Sequence, residues 1–188
     1  MGKYLFLILL FLMLFVGCSQ GSDETDIITE KIDEELGISP YIPKVEFPIG
    51  TVIVSYDFKV ENEETVKGEP KSAVIEYLVS KENSLDEETK EEWEESEVKK
   101  VIYGELYTGQ SAIQMTISKD AIGEISGADQ IDIDGHEVQY LLVQEDVDLV
   151  IMAMDFNDYG YTVQYSLVEG ESEEDAISFL KDIINNTQ

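Results

Sequence analysis

From residue 51 onward the chain repeats one pattern: short runs in which apolar and polar residues alternate, each closed by a turn signal. In TVIVSYDFKV (51–60), Val52, Val54, Tyr56, Phe58 and Val60 share one side and Ile53, Ser55, Asp57 and Lys59 the other. That is the period of a half-buried strand. SAVIEYLVS (72–80) puts Ala73, Ile75, Tyr77 and Val79 on one face, and VKKVIYGELYTG (98–109) and SAIQMTIS (111–118) follow, divided around Gly109. IDIDGHEVQYLLV (131–143) contains Asp134-Gly135, a strong two-residue hairpin signal, and NDYG (157–160) joins DLVIMAMDF to YTVQYSLV. About seven or eight strands with short connections predict a mostly antiparallel, meander-like sheet.

Helices are expected at both ends of this strand region. In SDETDIITEKIDEELG (22–37), Ser22 or Asp23 can cap the start, acids crowd the first turn and Gly37 can end the helix. Ile27, Ile28, Ile32 and Leu36 recur at helical spacing, so one stripe must pack on something. ISPYIPKVEFPIG (38–50), with Pro40, Pro43 and Pro48, reads as an extended connector into the sheet. Near the C-terminus Ser172 and Asp175 approximate a capping box. Ala176, Ile177, Leu180, Ile183 and Ile184 then form an apolar stripe that must lie on the sheet. Both helices on one sheet make an α+β domain.

Ahead of all this stands MGKYLFLILLFLMLFVGC. Lys3 precedes an apolar run from Tyr4 to Val16, which is of signal-peptide length and short of the roughly 20 residues a spanning helix needs. Phe15-Val16-Gly17-Cys18 resembles the lipobox of bacterial lipoproteins, with Phe15 where leucine is usual. The resemblance implies that Cys18, the only cysteine, receives a diacylglycerol and becomes the mature N-terminus. No A-x-A-like site marks ordinary secretory cleavage, and the lone cysteine has no disulfide partner. Residues 1–17 are thus expected to be a lipoprotein signal peptide, 18–22 (CSQGS) a tether, and 23–188 one α+β domain. The expected location is the extracytoplasmic face of the cell membrane of a Gram-positive bacterium, with the membrane a partner through the lipid.

Composition narrows the partners. The net charge is −29, with 41 acids against 12 basic residues, all of them lysine. A nucleic-acid binder needs a positive face and usually arginine forks, so nucleic acid is not an expected partner. Such acidity suits a soluble extracellular surface, or one that meets a cationic partner or a divalent metal. The acids concentrate in ENSLDEETKEEWEESE (82–97), around Leu85 and Trp93, with Ser84 and Glu87 spaced as a capping box. This segment reads either as a mobile acidic excursion between strands or as an arm presenting the only tryptophan to a partner.

Catalytic signals are absent. The only cysteine is assigned to the lipid, GEISG (123–127) misplaces its serine for a nucleophile elbow, and no phosphate-cradling loop occurs. One histidine and one cysteine exclude the H-E-x-x-H and C-x-x-C patterns. His136 is expected to flank a turn in an exposed position. In DQIDIDGHE, Asp132, Asp134 and Gly135 fit positions of a calcium loop, but Gln130 and Leu141 stand where its first and last ligands belong. The hairpin reading is preferred, and neither a metal site nor a cofactor is expected. Tyr103, Tyr107, Tyr140, Tyr159, Tyr161 and Tyr165 fit either half-buried sheet packing or a concave aromatic face.

From IDIDGHEVQY to the end, the layout of Gly135, Val138 and Tyr140, Phe156, Gly160-Tyr161 and Ser172-Glu173-Glu174 resembles an uncharacterised C-terminal domain of Gram-positive envelope and sporulation-type lipoproteins. Asp155-Phe156 stands where that family often has tryptophan before the turn. The resemblance implies an α+β domain and, more distantly, the curved-sheet lipoprotein carriers and envelope-stress sensors. The first expectation for function is a non-catalytic binding or interaction module at the cell envelope. The alternatives are a carrier holding an apolar ligand in a curved sheet, and an acidic surface protein that binds divalent cations.

Overall fold

The structure is a computed structural model that describes residues 23–187 except 62–63, 82–83, 95–97, 145 and 169. Cys18, its lipobox-like surroundings and the tether therefore lie outside the described residues, as do parts of the acidic excursion. Eight antiparallel strands form one open sheet: β1 (Ile49–Glu61), β2 (Glu64–Leu78), β3 (Lys99–Gly104), β4 (Ser111–Ser118), β5 (Asp129–Ile133), β6 (His136–Val143), β7 (Leu149–Asp155) and β8 (Gly160–Ser166). Helix α1 (Glu24–Leu36) precedes them, α2 (Glu87–Glu94) lies between β2 and β3, and α3 (Glu173–Asn186) closes the chain. The fold is α+β. Among the described residues no helix is long and apolar enough to cross a membrane.

The strand order is β3-β1-β2-β4-β8-β7-β6-β5. Only the second half is a meander. In the first half the β1–β2 hairpin sits inside, β3 pairs with β1, and β4 pairs with β2. The expected neighbours around Gly109 are therefore separated by two strands. β3 is also shorter than the run 98–109 suggested. Gly104 ends it with φ 72, and a Cβ there would lie 1.9 Å from the Gly50 carbonyl oxygen. β2 starts earlier than its alternation implied, running back through Pro70. Proline is tolerated because it lies opposite Tyr56, where the register with β1 shifts.

α1 and α3 cover the same face of the sheet. The inward residues of the strands, among them Val52, Ile75, Met115, Val163, Met152 and Val138, form one core with Ile28, Ile32 and Leu36 of α1 and Ala176, Leu180, Ile183 and Ile184 of α3. Phe179 joins this core and sets its ring edge-on to Tyr77, with centroids 5.8 Å apart, whereas Ile177 is only half-buried. The helix ends follow local chemistry. Asp23 caps α1, Gly37 takes φ 70 after its last turn, and Ser172 and Asp175 form a reciprocal capping box on α3. The connector between α1 and β1 packs into the same layer. The buried hydroxyls of Tyr77 and Tyr161 each donate to it, at 3.0 Å, to the carbonyls of Pro43 and Tyr41.

Tyrosine hydroxyls also tie the helices, and the residue ahead of the α3 cap, to the sheet and the connector. Tyr56 donates to Glu35, Tyr103 to Glu24, Tyr140 to Glu173 and Tyr165 to Glu171, while Tyr41 of the connector donates to Asp182. In a chain without arginine, tyrosine takes over much of the carboxylate pairing, and its ring remains in the core. Of the two readings open for the strand tyrosines, Tyr103, Tyr140, Tyr161 and Tyr165 take up sheet packing, on the face that α1 and α3 cover. Burial, then the carboxylate partner, pushes Tyr41 and Tyr140 up to about 12, and Tyr56 and Tyr165 rise for the same reasons. Tyr103 rises mainly through the bond to Glu24.

Candidate functional site

The other face of the sheet carries neither α1 nor α3, and its composition departs from the rest of the molecule. Strand register aligns Val101, Ile53, Val74, Thr116, Thr162, Ala153, Gln139 and Gln130 in one row across all eight strands, without a charge. The next row runs Thr51, Glu76, Gln114, Gln164, Ile151, Leu141, with Glu76 its single charge. Over the whole chain 28% of residues are charged. Depletion of charge is the compositional feature that interface cores share, which makes this band the candidate site on so acidic a chain.

Chain segments cover the sheet on either side of the band, and the strip left open between them is the trough. Toward β3, the residues flanking α2 close over the sheet. Thr51 is fully buried with its hydroxyl donating to the Glu105 carbonyl, and Leu106 is buried and accepts from the Leu85 N–H. Toward β6 and β7, the segment 119–128 folds onto the same face. The Gln139 side chain accepts from the Ile125 N–H at 2.6 Å and donates to the Gly123 carbonyl at 3.0 Å, and Asp155 accepts from the Ile122 N–H at 2.9 Å. Between the walls, Val74, Glu76, Gln114, Thr116, Thr162, Gln164, Ile151 and Leu141 stay half-exposed. A chain of amides crosses this floor. Gln164 donates to Gln114 at 3.3 Å, and Gln114 donates to Glu76 at 3.4 Å, which gives the carboxylate a neutral partner.

None of these floor residues was singled out by sequence. Their signal was present as Gln114-Met115-Thr116 on β4 and its mirror Thr162-Val163-Gln164 on β8. The two read as ordinary alternation until the register sets Gln114 against Gln164 and Thr116 against Thr162.

The residues that sequence did single out lie elsewhere. Asp134 and Gly135 form the β5–β6 turn, with φ 52 and 88, and Asp132 accepts from the Gly135 N–H at 3.2 Å. The loop is a hairpin, and among the described residues no three His, Cys, Asp or Glu side chains converge as a metal site. His136 is half-buried rather than exposed, its ring 6.0 Å from Phe156 and its Nδ1 buried with no hydrogen-bond partner among the described residues. Packing of Phe156 against Tyr159 and Tyr161 at this end of the sheet encloses it. Within the acidic excursion, residues 87–94 form a helix. Its first turn is capped by Asp86, which accepts from the Thr89 N–H at 2.9 Å, and not by Ser84, which bridges to Tyr107. Trp93 is half-buried under the Lys99 ammonium, 4.6 Å from its ring centroid, beside a cleft of about 390 Å³.

On the covered face, α1, α3 and the connector pack against the sheet in one core, and clefts of about 620 and 460 Å³ open along the connector beside α1 and α3. No family model, no curated protein and no solved structure matches the chain.

Proposed function

We propose that this protein is a lipid-anchored extracytoplasmic lipoprotein that works as a non-catalytic interaction module at the envelope of a Gram-positive bacterium. Its binding surface is the charge-poor trough on the sheet face opposite α1 and α3. The observation that carries this reading is the half-exposed floor of Val74, Glu76, Gln114, Thr116, Thr162, Gln164, Ile151 and Leu141, which holds a single charge, Glu76, on a chain of net charge −29. The anchor rests on Phe15-Val16-Gly17-Cys18, and it would hold the domain near a surface that its own charge repels.

Two experiments test the two halves of the reading. Cys18→Ala should move the protein from the membrane to the soluble fraction without unfolding the domain; membrane retention of this variant contradicts the anchor. For the surface, a photoreactive benzophenone side chain replaces Gln164, and a control replaces the exposed Ser178 of α3. Illumination of the membrane fraction should yield a protein adduct from position 164 and not from 178. Absence of an adduct at 164 refutes the interaction reading.

A further inference from the structure

Building on the interaction reading, we infer that the trough receives a basic polypeptide segment. An uncharged stripe of the partner seats on the floor, and its lysine or arginine side chains meet the carboxylates around the trough. The floor suits such a stripe. Its hydroxyls and amides each donate and accept, Ile151 and Leu141 offer aliphatic surface, and the one carboxylate, Glu76, already accepts from Gln114. From β2 to β6 the floor spans four strand spacings, or about 19 Å. A helix with its side chains is about 10–12 Å wide and fits within it.

The charges around the trough set the sign of the partner. On the same face of the sheet, beside the 119–128 wall at the β5–β6 end, register places Asp132 directly opposite Glu137. Like charges facing each other across a strand pair cost stability. Both residues are exposed, and the ion pairs seen among the described residues use other carboxylates. At the other side, α2 exposes Glu88 and Glu92, while Lys90 and Lys99 line the cleft around Trp93 and are engaged by Glu105 and the indole ring. A second copy would bring a net charge of −29 against the same charge, and an anionic lipid or nucleic-acid surface is repelled in the same way. A cationic segment relieves the repulsion between Asp132 and Glu137 and gains the field of the whole molecule.

The test uses the full chain with benzophenone at position 164, illuminated in the membrane fraction, with the cross-linked peptide sequenced by mass spectrometry. The expected adduct maps to a lysine- or arginine-rich segment, and its yield falls at least about fivefold from about 50 mM to about 500 mM salt, as charges are screened. Glu137→Lys separates binding from stability. It places opposite charges across the β5–β6 pair, so the melting temperature should rise while the adduct yield falls about fivefold. An adduct with an acidic or uncharged segment, an adduct between two copies, a yield that holds or grows with salt, or unchanged capture by a folded Glu137→Lys protein overturns the basic partner and leaves the interaction surface standing. No adduct from position 164 removes both.

Discussion

Tyr77→Phe isolates the contribution of one hydroxyl to the way the connector is held. Tyr77 is 1% exposed, and its hydroxyl donates at 3.0 Å to the carbonyl of Pro43, itself buried. Phenylalanine keeps the ring and its edge contact with Phe179, so no cavity of methyl size opens. What is lost is one buried neutral hydrogen bond, and a carbonyl left without its donor. A bond of this kind contributes about 1 kcal/mol net, and the orphaned acceptor brings the cost to about 1–3 kcal/mol. For a domain of this size that corresponds to about 2–12 °C in melting temperature. Tyr161→Phe releases the Tyr41 carbonyl of the same connector, so the two losses should couple rather than add. Urea unfolding followed by circular dichroism reads both, and the slope with denaturant should stay unchanged, since no surface is newly exposed. A Tyr77→Phe midpoint equal to or above that of the parent protein would refute the claim that the sheet holds the connector through these hydroxyls.

Other expectations follow from particular contacts. Gly104→Ala should cost about 2 kcal/mol or more, because it combines a left-handed backbone with a Cβ 1.9 Å from the Gly50 carbonyl oxygen. Gly135→Ala, at φ 88 with no atom within 4 Å of the new Cβ, should show only the conformational cost of about 1–2 kcal/mol, and equal losses for the two variants would contradict the overlap. Ser172→Ala removes half of the α3 capping box and should destabilise by about 0.5–2 kcal/mol in thermal unfolding. Alkaline pH tests the tyrosine pairs. With Tyr41 and Tyr140 pushed up to about 12 in the folded state, their contribution is fully present below the ordinary tyrosine range near 10 and is lost as pH rises through about 12. A urea midpoint that stays flat between about pH 10 and 12 would contradict this.

Short-range chemistry was legible from the chain. Alternation located the strands, Asp134-Gly135 marked its turn, and Gly37 and the Ser172–Asp175 pair marked helix ends, because each signal acts within a few residues. Where those signals weaken, as along the Pro70 side of β2, the neighbouring strand imposed the structure instead. Strand order was not legible. Nothing local states that β3 returns to the outer edge of β1, or that β4 meets β8, since both follow from which apolar faces close around α1 and α3. The trough belongs to this second kind. Thr116, Thr162, Ala153 and Gln139 are dispersed along the chain and unremarkable one by one. Only the register that buries Met115, Val163, Met152 and Val138 on the covered face turns the alternate residues outward and brings them into one uncharged row.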